Sequence, residues 1–397
     1  MRKFFGYLHR ILGLTSGLIV VIVALTGCIY AFQEELQDLT QPYRFVEARD
    51  LPVLPPSEIQ RIADAQLPGK HLHAVLYQSA DRAAKAIYWS FEEHYYFFVY
   101  VDQYTGEVLK VKDEFADFFR IVLDGHFYLW LPAEIGQPVV STATLVFIVM
   151  LISGIILWWP KNRNSAKQRF TIKAGTRWRR RNYDMHNVLG FYASILGLVL
   201  ALTGLIWGFE WFRDGVYAAA SGGEKFQEYE APVSDPQALI AMEIPAIDKV
   251  WHWMNAEYPD AAWIEVHPPE GEHGSIAANA NPDASTYWKI DYRYFDRYSL
   301  AELPVDHIWG RFPTDRGADK LMRMNYDIHT GAILGLPGKF LAFSVSLIIA
   351  SLPVTGFLIW YGRRRKARAA TSKKIASSDG THERAMATAM RSSAPVA

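Results

Sequence analysis

The chain has 397 residues, with 41 basic and 41 acidic side chains, and 50% of its residues are hydrophobic. Its single cysteine, Cys28, excludes intramolecular disulfides and Cys-ligated zinc or iron–sulfur sites. The sequence contains no C-x-x-C-H, so any haem would be held non-covalently, and no G-x-G-x-x-G follows a strand to indicate NAD or FAD. We expect no nucleic-acid partner.

Four apolar runs are long enough to cross a bilayer, which requires roughly 20 residues. Two long polar segments between them have the mixed composition of folded domains. We therefore divide the chain into spans at 1–32, 138–160, 186–211 and 340–362, external segments at 33–137 and 212–339, a basic loop at 161–185 and a tail at 363–397. Membrane lipid is then an obligatory partner.

Lysine and arginine are concentrated in three places, and these set the orientation. They are the N-terminus, the loop at 161–185, which has no acidic residue before Asp184, and the start of the tail. The positive-inside rule places all three in the cytoplasm. This predicts a multi-pass protein of the bacterial inner membrane, with both termini cytoplasmic and both long segments in the periplasm.

The chain also contains an internal repeat. The first span aligns with the third at an offset of 177, which places His9 on His186 and Ala24–Gly27 on Ala201–Gly204. A pattern Arg-x-x-x-Asp-x-His precedes the second and fourth spans, at 120–126 and 323–329. Two parallel copies imply a pseudo-twofold axis along the membrane normal. The repeat also argues against a lipoprotein cleavage box at Cys28, because the third span carries the same Ala-Leu-Thr-Gly.

Each external segment reads as a small α+β domain. Residues 95–102 are rich in aromatic and β-branched side chains and predict a strand, as do 262–266 and 287–292. The fold class we predict is an α-helical four-span bundle made of two parallel repeats, with two periplasmic α+β domains.

Four histidines occupy equivalent places in the two repeats. His9 and His186 lie on the cytoplasmic side, and His126 and His329 lie on the outer side. If each pair faces the twofold axis, it offers two imidazoles to one metal, which is what six-coordinate haem iron requires. We predict two b-type haems with these axial ligands. Other axial combinations, and interface histidines satisfied by water or backbone, are the alternatives that sequence spacing leaves open.

Arginines lie near each predicted site. Guanidinium groups pair bidentately with carboxylates, so these arginines are candidates to bind haem propionates. They are Arg10, Arg120, Arg180 and Arg323. Arginine and aspartate four residues apart face together on a helix, so the spacing allows each Arg-x-x-x-Asp to form an ion pair. Asp184 is expected to cap the third span.

These motifs resemble the PepSY-associated transmembrane family and, within it, the siderophore–iron reductases of bacterial inner membranes. The matching pieces are Leu8–Arg10, the Leu-Thr-Gly boxes, Asp102–Glu107, His126 and Asp327–Gly331. The resemblance covers about residues 1–366 and implies two PepSY-type domains. The second domain departs from the family turn, because Ser299-Leu300 replaces Thr-Gly.

The resemblance further implies an enzyme, a ferric-siderophore (metal-ion) oxidoreductase. Electrons from a cytoplasmic or quinone donor would pass from one haem to the other and reduce siderophore iron in the periplasm. The alternatives are a PepSY-type sensor or protease-binding protein without redox activity, and a transmembrane cytochrome b that reduces another periplasmic partner.

Overall fold

A computed structural model describes residues 1–160, 169–173, 175–236 and 244–392, with side chains described to Lys366 and at Thr371. Residues 161–168 and 174 of the predicted basic loop fall outside the described part. The helices are α1 Arg2–Tyr30, α2 Gln33–Thr40, α3 Pro56–Asp64, α4 Phe118–Tyr128, α5 Ala133–Trp158, α6 Trp178–Gly208, α7 Glu210–Ser221, α8 Ala246–Glu257, α9 Gly317–Arg323, α10 Asn325–Thr330 and α11 Gly335–Ser392.

Seven strands belong to the segments between the long helices. They are β1 Leu72–Tyr77, β2 Ala84–Ser90, β3 Tyr95–Val101, β4 Val108–Asp113, β5 Trp263–His267, β6 Ile276–Asn281 and β7 Asp291–Phe295. All of them lie in one antiparallel sheet in the order β4-β3-β2-β1-β5-β6-β7. The central β1–β5 pair therefore joins the two predicted external units into a single sheet.

Four helices of the described chain are long and apolar enough to cross a membrane: α1, α5, α6 and the first part of α11. Helices α1 and α6 each pack against α5 and α11, so α1 and α6 are diagonal in a four-helix bundle. Glycines bring the backbones close: a Cβ on Gly197 would lie 2.9 Å from Ile349, and one on Gly17 would lie 3.1 Å from Pro353. We call the end of the bundle that carries the sheet the sheet side, and the opposite end the far side.

One face of the sheet is covered by α3 and α8, the corresponding helices of the two segments. Ile59 and Ala63 of α3 and Val250 and Met254 of α8 are buried in the same core. Each segment thus contributes one helix and a meander of strands, as expected for an α+β unit. The shared core means that the two segments are stabilised together.

The turn that departs from the family pattern keeps the same conformation. Asp102 accepts a hydrogen bond from the Tyr104 backbone N–H at 2.8 Å, and Asp296 accepts one from Tyr298 at 2.9 Å. Leu300 has φ 59°, in the left-handed region that glycine favours. The side-chain anchor at Asp296 therefore holds the turn although no glycine is present.

The prediction that Asp184 caps the third span is wrong. The helix begins at Trp178, earlier than the predicted boundary at 186, so Asp184 lies inside it. The Asp184 carboxylate is 3% exposed and pairs with Arg180 at 2.9 Å, one helical turn away. The first turns of this helix are rich in arginine, so the hydropathy pattern alone predicts a loop there.

Candidate functional site

The structure brings the four repeated histidines together in two pairs. On the far side, the ring centroids of His9 in α1 and His186 in α6 are 6.5 Å apart. On the sheet side, those of His126 in α4 and His329 in α10 are 6.1 Å apart. These are the pairs that the repeat placed across the twofold axis, while their role as metal ligands stays a prediction.

Each far-side ring is held through its Nδ1 by the helix behind it. His9 Nδ1 lies 3.1 Å from the Met150 carbonyl oxygen and 3.0 Å from Ser153 Oγ, both on α5. His186 Nδ1 lies 2.9 Å from Thr355 Oγ1 on α11. Both rings are thereby fixed by neighbouring long helices.

The sheet-side rings are held in the same way by α1 and α6. His126 Nδ1 lies 2.9 Å from the Val23 carbonyl oxygen and 3.2 Å from Thr26 Oγ1. His329 Nδ1 lies 2.9 Å from Thr203 Oγ1. The corresponding helices of the two repeats thus make corresponding contacts.

These contacts determine the tautomer. A carbonyl oxygen only accepts, so Nδ1 of His9 and of His126 carries the proton and donates it. Nε2 is then an acceptor, and among the described residues we find no hydrogen bond to Nε2 of any of the four rings. Metal-bound histidines typically have this arrangement, with one nitrogen donating to the protein and the other coordinating.

A glycine lies against each of the four rings. A Cβ added to Gly27 would lie 3.1 Å from His126 Cε1, and one on Gly356 would lie 3.2 Å from His186 Cε1. The corresponding distances are 3.3 Å from Gly154 to His9 and 3.4 Å from Gly204 to His329. Larger residues at these positions would push the rings away from the helices and toward each other.

The hydroxyl and the glycine are consecutive residues at every site. The pairs are Thr26-Gly27, Ser153-Gly154, Thr203-Gly204 and Thr355-Gly356. Thr26-Gly27 and Thr203-Gly204 belong to the aligned repeat, but no contact with the histidines was predicted for any of these dipeptides. Their occurrence once in each span, at positions equivalent between the repeats, was the signal that could have identified them.

The separation of the two imidazole rings in each pair fits one metal atom bound between them. A metal–imidazole bond is about 2 Å long and the nitrogen lies roughly 1 Å from the ring centroid, so two axial rings have centroids about 6 Å apart. Within the described ranges, no group of three or more His, Cys, Asp or Glu side chains converges to hold a metal ion. Two ligands alone suit an iron whose other four bonds come from a macrocycle, and haem fits this donor set.

A cavity of about 400 Å³ lies inside the bundle beside the sheet-side pair. Its lining includes His126 and His329, the glycines Gly27 and Gly204, and Phe147. Most of the remaining wall is aliphatic or aromatic. An apolar slot bounded by two imidazoles has the character of a binding site for a flat, largely apolar ring.

The four arginines predicted to bind haem propionates differ in whether their guanidinium groups already have partners within the protein. Arg120 pairs with Asp124 at 3.1 Å, and Arg180 pairs with Asp184, for which a cap was favoured. Arg323 does not pair with the aspartate four residues later. It is buried and binds Asp315 and the Ile290 carbonyl oxygen.

Asp327, the aspartate four residues after Arg323, instead accepts hydrogen bonds from the backbone N–H groups of Tyr287 and Trp288. The ion pair with Arg323 that the spacing allows is therefore not formed. Arg10 is exposed, and its guanidinium lies 5.5 Å from the Tyr7 ring centroid. Arg323 is the least available of the four for a propionate, because its side chain is already committed within the protein.

Comparison with known proteins agrees with this architecture. No curated protein matches the chain. A family model described as the PepSY-associated TM region matches residues 7–363, which include all four long apolar segments, the sheet and the four paired histidines. The chain therefore belongs to the PepSY-associated transmembrane family.

Proposed function

We propose that this protein is a haem b-containing reductase of the bacterial inner membrane that passes electrons across the membrane to ferric siderophore iron in the periplasm. The observation that carries the proposal is the arrangement of the four histidines. Each has its Nδ1 hydrogen-bonded to a neighbouring helix, and each faces a partner ring about 6 Å away.

The residues of the chain have distinct tasks in this proposal. His9 with His186, and His126 with His329, would hold the iron of two haems, which when bound supply one-electron chemistry. The serine and threonine hydroxyls orient the rings, and the adjacent glycines leave them room. The largely apolar side chains around the sheet-side pair would limit the access of water to its imidazoles.

The acceptor follows from the chemistry of iron release and from the family resemblance. Siderophore oxygens are hard ligands that suit Fe(III), and the addition of one electron gives the softer Fe(II), which these oxygens hold less well. No general acid or nucleophile is needed for this step. The electron donor is a cytoplasmic reductant or a membrane quinol.

The visible spectrum of the purified protein tests the proposal. We expect a bis-histidine Soret band whose intensity is lowered in His9→Ala and in His126→Ala, because each variant removes one axial ligand. His94→Ala, in the external segment, is the control and should retain the full intensity. A wild-type protein that stays colourless when produced with ample haem would favour the sensor or protease-binding alternative.

A second assay separates the two redox alternatives. The dithionite-reduced protein is mixed anaerobically with ferric siderophores, and haem reoxidation is followed together with Fe(II) capture by ferrozine. Stoichiometric Fe(II) release supports the siderophore reductase. Reoxidation only by a periplasmic redox protein would indicate a transmembrane cytochrome b with another partner.

A further inference from the structure

A second cavity, of about 1040 Å³, lies on the sheet side of the bundle. It is enclosed by the start of α5, the end of α6, the start of α7 and part of the 287–326 segment. Gln137, Trp207, Gly208 and Tyr326 line both this cavity and the one beside the sheet-side histidines. The Trp207 ring centroid is 5.3 Å from that of His329, so a ligand here would be within electron-transfer contact of that pair.

The walls of this second cavity are largely aromatic, and its rim carries apolar side chains beside the exposed Glu134. Its lining includes Trp207, Phe226, Tyr287, Tyr292, Trp309 and Tyr326. At the rim, Trp211 is 61% exposed, and Ala133 and Pro138 are exposed at the start of α5. These residues lie where two apolar helices end, at the level of a membrane interface, so the cavity faces the edge of the bilayer.

One buried polar atom in the lining has no hydrogen-bond partner among the described residues. Asn325 is 5% exposed, and its Nδ2 donates to the Thr203 carbonyl oxygen at 3.2 Å. The atom without a partner in that part of the chain is its Oδ1, which is buried. The amide cannot be flipped, because Oδ1 would then face another acceptor. Since an unpaired buried oxygen is costly, a ligand that donates a hydrogen bond would be stabilised here.

The charges of the cavity disfavour an anionic ligand. Arg213 is paired with Asp214 at 2.9 Å and with Glu228, and Arg323 is paired with Asp315. Their positive charges are therefore already neutralised by carboxylates. A chelator bound to Fe(III) presents deprotonated oxygens, which would meet the acceptor Oδ1 unfavourably, whereas a neutral ring that carries a hydroxyl group matches it.

We propose that this second cavity binds a hydroquinone that enters from the bilayer, with one hydroxyl group donating to Asn325 Oδ1 and the ring packed among the aromatic side chains. The assignment rests on the proposed function, to which it adds a second electron donor. This donor would reduce the sheet-side pair, His126 and His329, from the bilayer, whereas the electrons that cross the membrane enter at the far-side pair.

The electron count is balanced. Oxidation of one hydroquinone to the quinone breaks two O–H bonds and releases two electrons and two protons. The two electrons reduce two ferric chelates, one each, and the two protons leave to water at the rim. Glu134 lines the cavity there, and its exposed carboxylate forms no ion pair with any described residue.

Photolabelling tests the site directly. The full-length protein in lipid nanodiscs is labelled with an azido-benzoquinone, with and without a competing short-chain benzohydroquinone, and the labelled peptides are mapped by mass spectrometry. We expect saturable label in peptides that contain Trp207–Arg213 or Met322–Tyr326. Loss of one buried hydrogen bond in Asn325→Leu should weaken competition roughly tenfold.

Exposed tryptophans provide a second variant with a matched control. Trp211→Ala, at the rim, should reduce labelling, whereas Trp159→Ala, where the side chain is 63% exposed at the far side, should not. Haem content is measured on the same samples, so that loss of haem is distinguished from loss of ligand. Both tryptophans are exposed, so neither change removes core packing.

The outcomes separate this proposal from the proposed function. Label in the predicted peptides of a protein without haem would support the cavity and overturn the redox function. Full haem content with no saturable label, or with label that none of the cavity variants affects, would overturn the hydroquinone site. Competition by a neutral ferric trihydroxamate but not by the hydroquinone would also overturn it and would make the cavity the acceptor site.

Discussion

The glycines behind the histidine rings give the sharpest structural prediction. In Gly27→Ala, the new methyl group would lie 3.1 Å from His126 Cε1. Carbon atoms pack best at about 3.5–4.0 Å, so the ring must move by about 0.4 Å or more. Overpacking of this kind costs about 1–3 kcal/mol, against a gain of about 1 kcal/mol from the better helix propensity of alanine.

The net free-energy cost displaces the His126 ring from its position, so the affinity for haem at the sheet-side pair should fall roughly tenfold. The assay is the rate of haem loss to excess apo-globin, followed with the Soret band. The effect should be graded by distance, being largest for Gly27 and smallest for Gly204, where the contact is 3.4 Å. Gly362→Ala is the control, because no atom of the described residues lies within 4 Å of its added Cβ. If Gly27→Ala loses haem no faster than Gly362→Ala, the glycines do not position the rings.

Three further predictions concern the ring anchors and the external sheet. Thr203→Val removes the hydroxyl 2.9 Å from His329 Nδ1 and should lower haem affinity about 10- to 100-fold, whereas Thr203→Ser should restore it, as measured by haem transfer. Gly106→Ala should lower the free energy of unfolding by about 1–3 kcal/mol more than Gly69→Ala does. Both glycines have positive φ, but only the Cβ at Gly106 would clash, because it would lie 2.8 Å from a side-chain methyl group. Equal losses of stability in the two variants would contradict this prediction. Burial lowers the pKa of Lys85 from 10.5 to about 8, and the charge of a neighbouring arginine contributes to this shift. Between these two pH values, the native state therefore binds fewer protons than the unfolded state. Stability should therefore rise by about 1–2 kcal/mol from pH 7.5 to 9.5, and Lys85→Met should abolish that rise in thermal unfolding.

Much of the membrane architecture could be predicted from the sequence because its signals are local. Apolar runs of bilayer length give the four long helices, and the internal repeat gives the two histidine pairs, of which His9 and His186 align at the offset of 177. Helix boundaries were less well predicted. The start of α6 at Trp178 was missed because its first turns are rich in arginine, which the hydropathy signal excludes.

The rest depends on contacts between distant residues. The pairing of β1 with β5 joins strands almost two hundred residues apart, and no local pattern specifies which edges of two small domains meet. Arg323 binds Asp315 instead of Asp327 because α9 and α10 are separate short helices, so the i,i+4 rule does not apply across them. Ser153 and Thr355 hold the rings through contacts that only the packed bundle brings together.

The haem-to-protein ratio tests the central claim most directly. The pyridine haemochrome of purified full-length protein, divided by its concentration from amino-acid analysis, counts b-type haem per chain. We expect two haems in the wild type, and about one in His126→Ala and in His186→Ala, where one pair remains intact. A ratio near zero in protein produced with ample haem, or a ratio unchanged by both substitutions, would contradict it.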